Sequence, residues 1–117
     1  MKLIVISSEQ VLKDEARQII DLLDYGVDRI HIRKPNASFQ VISDLINNIP
    51  VIYHQCLSLH YYKDLLLEYP LIKYHHSGES KYDEALGKFQ SKSFHSFEHF
   101  KEMKRYSYGF ISPIFDS

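Results

Sequence analysis

An α/β fold built on a parallel sheet is predicted by two features of the sequence. Short runs rich in Ile, Val and Tyr recur along the chain, and segments with helical spacing separate them. The alternation repeats about once per twenty residues, which suits crossover helices joining parallel neighbours.

Six strands are expected, at 2–7 (KLIVIS), 27–33 (VDRIHIR), 50–55 (PVIYHQ), 71–76 (LIKYHH), 92–96 (KSFHS) and 106–112 (YSYGFIS). Between the first two, residues 13–26 place Ala16, Ile19, Ile20 and Leu23 at i, i+3, i+4 and i+7, with acidic residues early and Gly26 just past the end. Residues 38–49 repeat the logic with Phe39, Ile42, Leu45, Ile46 and Ile49, and Pro50 then opens a strand, where its missing N–H matters little. Residues 58–70 read as a third helix, stopped before Pro70. Residues 77–90 are weakly apolar and carry only a weak helical signal. Residues 96–104 read as a helix capped by Ser96, with Glu98 in its first turn and Phe97, Phe100 and Met103 along one side.

Two architectures compete for this pattern. An open sheet binding a dinucleotide needs Gly-x-Gly-x-x-Gly after a strand, and glycines at 26, 78, 87 and 109 do not form it. A TIM (β/α)8-type barrel is therefore preferred. Eight units normally need about 200 or more residues. The 117 residues thus read as one domain, 1–117, holding about the first six βα units. A homodimer would be one way to complete the sheet and cover the open edge of strand six.

Fourteen basic residues against fifteen acidic ones give a formal charge of −1 with no long basic run, which argues against nucleic acid and membrane surfaces as partners. Cys56 is the single cysteine, so no intrachain disulfide forms and a reducing, cytoplasmic setting is expected. The opening MKLIVISSEQ has four consecutive apolar residues, too few for a signal-peptide core.

In a parallel barrel the reacting groups gather at the C-terminal ends of the strands. Polar residues collect at those places: His31, Arg33 and Lys34 after strand two, His54 and Gln55 after strand three, His75 and His76 after strand four, Ser93 and His95 after strand five, and Ser112 after strand six. His31 and Arg33 share one face of a strand. Arg33 suits a bidentate phosphate or carboxylate and Lys34 offers a second, mobile cation, although a local ion pair explains Arg33 equally well. His75 and His76 face opposite sides and do not chelate together. No spacing motif supports a three-histidine metal site from His31, His54 and His75, so no metal is assigned. His95 can accept and return protons near neutral pH, or can simply pack beside Phe94 and Phe97.

These segments resemble the thiamine phosphate synthase and TenI-like thiazole tautomerase superfamily, whose members are (β/α)8 barrels. VDRIHIRKPNAS is similar to the family's second-strand segment, SFHSFEHF to its Ser-x-His-Ser segment, and YSYGFISPIFDS to the segment that runs through its sixth strand. The resemblance implies two activities. The synthase branch joins a pyrimidine diphosphate to a thiazole phosphate with Mg2+, using Gln-x-Arg-x-Lys on strand two, an Asn-Asp pair after strand three and an Asp after strand four. Here His31 takes the Gln place, Arg33 keeps the Arg, Pro35 takes the Lys place, His54 and Gln55 are placed at Asn-Asp, and Ser80 falls near the last Asp. The tautomerase branch needs His-x-Arg and the strand-five histidine, matched by His31, Arg33 and His95, and it needs no cofactor. Proton transfer on a thiazole phosphate is therefore expected, with His95 as general acid/base and His31, Arg33, Lys34, His54, His75, Ser93 and Ser112 around the substrate. A barrel that binds a phosphorylated ligand or a protein partner without turnover is the alternative.

Overall fold

A computed structural model describes residues 2–77, 80–95 and 99–111. The chain divides into two compact units, Met1–Lys73 and Tyr74–Ser117. In the first, strands β1 (Ile4–Ile6), β2 (Arg29–Ile32) and β3 (Leu57–Leu59) run parallel in sequence order, with helices α1 (Glu15–Asp24) and α2 (Phe39–Asn47) in the two crossovers.

The register places Val5 beside Ile30, Ile30 beside Leu57 and Ile32 beside Leu59. This apolar face packs with Ile19 of α1 and Ile42, Leu45 and Ile46 of α2 in one core. The alternation of the strands leaves Arg29, His31 and Ser58 on the other face. Each helix turns the predicted stripe to the core, Ala16, Ile20 and Leu23 of α1 being only partly buried, except that Phe39 is exposed and meets the Tyr62 ring edge-on at 5.7 Å. Ser38 caps α2 by accepting from the Val41 N–H at 3.2 Å.

Two expected elements are replaced. Val51–Cys56 is a 3-10 helix, not a strand; Val51 and Ile52 are 63% and 75% exposed, so this β-branched run lies outside the core. The third strand is instead Leu57–Leu59, which lies at the start of the expected third helix. That helix shrinks to a 3-10 turn, Lys63–Leu67, entered through Tyr62 in the left-handed region at φ 60°. A bulky residue there is strained. Its hydroxyl donates to the Ala37 carbonyl at 2.6 Å and fixes the chain leaving β3. Tyr62→Phe is expected to lower stability by about 1 kcal/mol, read from the denaturant midpoint; no change would mean that the hydroxyl anchors nothing.

In the second unit β4 (Lys73–His76), β5 (Gln90–Phe94) and β6 (Tyr108–Ile111) are again parallel and in order. Among the described residues between β4 and β5 there is one 3-10 turn, Glu84–Leu86, and His99–Arg105 is 3-10 helix where an α-helix is expected. Gly109 is required by packing: a Cβ there would stand 2.8 Å from both Met103 Sδ and a Phe94 ring carbon. Ser96, Phe97, Glu98 and Ser112 lie outside the described residues. No described helix is long and apolar enough to cross a membrane.

Candidate functional site

In the first unit the polar face of the sheet ends in a pair of imidazoles. His31, in β2, and His60, immediately after β3, approach with Nδ1 of the first 2.7 Å from Nε2 of the second, their rings edge to face. The His60 N–H continues the ladder by donating to the Ile32 carbonyl, which sets the second ring opposite the first. Both are buried. Burial lowers His31 to about 3, helped by His60 and Arg29, and lowers His60 to about 4, helped by the neighbouring Arg33 guanidinium. At neutral pH both rings are therefore uncharged. One donates its N–H and the other accepts.

Arg33 follows the end of β2, and its Nη1 donates to Glu9 Oε1 at 2.7 Å. The Tyr61 hydroxyl is a further hydrogen-bond partner, and together these contacts raise the arginine's pKa. The guanidinium keeps 39% of its side-chain surface open to solvent.

Lys34 is not the mobile cation expected. It is 1% exposed, and its ammonium donates to the carbonyls of Ser8 and Gln10 at 2.7 Å each and pairs with buried Glu15 at 2.8 Å. All three of its donors are engaged. Its function is to pin the β1–α1 loop.

His54 is also displaced from its expected place. It precedes β3 in the 3-10 helix, buried, with Nε2 2.7 Å from the Ile49 carbonyl and its ring against Tyr69. The residues that follow the third strand are His60 and Tyr61, which the strand assignment at 50–55 concealed. The signal for them was present in LSLH, where Leu57 and Leu59 alternate with Ser58 and His60.

In the second unit His75 lies between two serines of β5, its Nδ1 2.7 Å from Ser91 Oγ and its Nε2 2.7 Å from Ser93 Oγ. The expected residues His75 and Ser93 are thus brought together, and Ser91 joins them. His76 turns the other way, as the alternation requires. Its Nε2 donates to Gln90 Oε1 at 2.7 Å, so its Nδ1 accepts from the Ser80 hydroxyl at 2.6 Å. His95 is exposed and directly follows β5.

The architecture is similar to that of the solved structure of thiamine phosphate pyrophosphorylase from Bacteroides thetaiotaomicron, with a TM-score of 0.78 and 32% identity over 97% of this chain. That pyrophosphorylase is of the thiamine phosphate synthase/TenI superfamily, and this chain is similar to it over nearly its whole length. Its fold class is the one expected, about the first six βα units of a (β/α)8 barrel. The chain spans 59% of the length of that pyrophosphorylase chain. No family model matches it, and no curated protein does.

Within the superfamily the magnesium of the synthase branch needs oxygen ligands, carboxylates above all. Among the described residues, β3 leads into His60 and Tyr61, and β4 ends in His76, followed by Ser77 and, further on, Ser80. These described residues are imidazoles, a phenol and hydroxyls; the carboxylate between Ser77 and Ser80, Glu79, lies outside the described residues.

Proposed function

We propose that this chain serves thiamine biosynthesis by transferring protons on a thiazole phosphate, in the manner of the tautomerase branch. The observation that supports it most is the uncharged His31–His60 pair beside the Arg33 guanidinium. Such a pair can accept from or donate to a neutral heterocycle without adding charge, and the guanidinium suits an anionic substituent. Two imidazoles whose pKa values lie far below 7 are weak bases, so they orient rather than carry the proton. In this reading His95 is the general acid/base, on the strength of its place after the fifth strand, and Ser93 and His75 bind polar groups of the substrate. We place the protein in the cytoplasm, where Cys56 stays a free thiol.

The test is to incubate the protein with the thiazole carboxylate tautomer and follow ultraviolet absorbance. Wild type should convert it, and His95→Ala should be slower by about 100-fold; equal rates would remove the role given to His95. The likeness to a pyrophosphorylase favours a second reading, magnesium-dependent coupling of a pyrimidine diphosphate to the thiazole phosphate. Clear coupled product with both substrates and Mg2+ would overturn the proton-transfer reading.

A further inference from the structure

The β1–α1 loop carries one carboxylate to the Arg33 guanidinium, and the manner of its delivery is informative. Residues 8 and 10, on either side of Glu9, are both held through their carbonyls by the Lys34 ammonium. Ser7 Oγ accepts from the Arg33 backbone N–H at 3.0 Å, and Glu15 Oε1 accepts from the Leu12 N–H at 2.9 Å. The loop is thus tied to β2 before and after Glu9 by groups that include a buried ion pair. Glu9 itself is 61% exposed and Arg33 39%, so solvent and a ligand reach both.

We propose that Glu9 is a specificity-determining residue of the Arg33 anion site: its carboxylate occupies the guanidinium and admits only anions able to displace it. The proposal rests on Arg33 receiving the anionic group of the ligand, as proposed above. An ordinary exposed ion pair contributes about 0–1 kcal/mol, because two flexible side chains must be ordered to form it. Here the loop has already been fixed by Lys34, and the tethered carboxylate competes at an effective concentration on the order of millimolar. A free monocarboxylate offers nothing that Glu9 does not already supply. A phosphate or diphosphate brings more charge and three or more acceptor oxygens, enough to take over a guanidinium bidentately. Glu9 thereby selects phosphorylated ligands over carboxylates at a single arginine. Its displacement also leaves the incoming anion next to neutral His60.

The experiment is calorimetric titration of inorganic phosphate, and separately acetate, into wild type, Glu9→Gln and Arg33→Ala. Glu9 is exposed, so its variant keeps the fold. Phosphate should bind Glu9→Gln about tenfold more tightly than wild type. Acetate should bind Glu9→Gln measurably and wild type not, and Arg33→Ala should lose both. If Arg33→Ala abolishes phosphate binding while Glu9→Gln binds it no better than wild type, the proposal is overturned and the anion role of Arg33 stands. If neither wild type nor Glu9→Gln binds phosphate, the proposal falls together with that role.

Discussion

Lys34→Ala is expected to lower the stability of the protein by about 3–5 kcal/mol, because it strands a buried carboxylate. The Lys34 and Glu15 side chains are 0% and 5% exposed, and the ammonium reaches the Ser8 and Gln10 carbonyls as well. Removing the cation leaves the Glu15 carboxyl buried without its ammonium partner and leaves two carbonyls without their donor. The cost therefore exceeds what an exposed pair would contribute. Unfolding in urea, followed by circular dichroism, measures it, and a loss under 1 kcal/mol would show that water replaces the ammonium. Replacing both partners together, Lys34→Met with Glu15→Leu, should recover a large part of the loss, since well-packed apolar groups replace a buried ion pair at little cost. The single variant should also release residues 8–10 to proteases, an effect expected of local opening in that loop.

Lys34 also shows why sequence reasoning reached the fold sooner than the site. The helices α1 and α2 were legible because a period of 3.6 survives in isolation: Ile19, Ile42, Leu45 and Ile46 are buried where their spacing places them. The strands β1, β2, β4 and β6 were legible from their β-branched and aromatic content, whereas β5, expected at 92–96, runs from Gln90 to Phe94. β3 was not, because Val51-Ile52-Tyr53 is a stronger β-run than Leu57-Ser58-Leu59 yet lies outside the sheet, where tertiary pairing overrides propensity. That shift moved the third-strand positions from His54 and Gln55 to His60 and Tyr61. A basic residue after a strand looks the same in sequence whether it faces ligand or core. Arg33 ends half-exposed and Lys34, its neighbour, fully enclosed, because only Lys34 meets a carboxylate, Glu15, inside the fold. Glu9 carried no signal at all, since nothing in the sequence says that a loop 24 residues upstream is tied to β2.

Mild acid should destabilise the protein well before its carboxylates titrate, and the sign follows from the imidazole pair. His31 and His60 have an ordinary value of 6.5 and are lowered in the fold to about 3 and about 4, chiefly by burial. As pH falls below 6.5 the unfolded chain binds two protons that the folded chain refuses. The stability associated with the uncharged pair is thus fully present above 6.5 and declines as pH drops toward 4 and then 3. Each histidine contributes a slope of up to about 1.4 kcal/mol per pH unit in that interval, and the pair together should cost roughly 3 kcal/mol between pH 7.5 and 5.5. Denaturant midpoints at those two pH values measure it, and His31→Gln, which keeps a hydrogen-bonding side chain beside His60 but cannot take up a proton, should flatten the dependence by about half. A wild-type profile that stays level across this range would mean that the two rings are solvated and protonate freely. The same measurement bears on the chemistry, because rings that resist protonation down to pH 5 cannot be the source of any rise or fall in turnover between pH 6 and 8. A pH optimum in that window would then have to come from the substrate or from another group, and its loss in His95→Ala would assign it to His95.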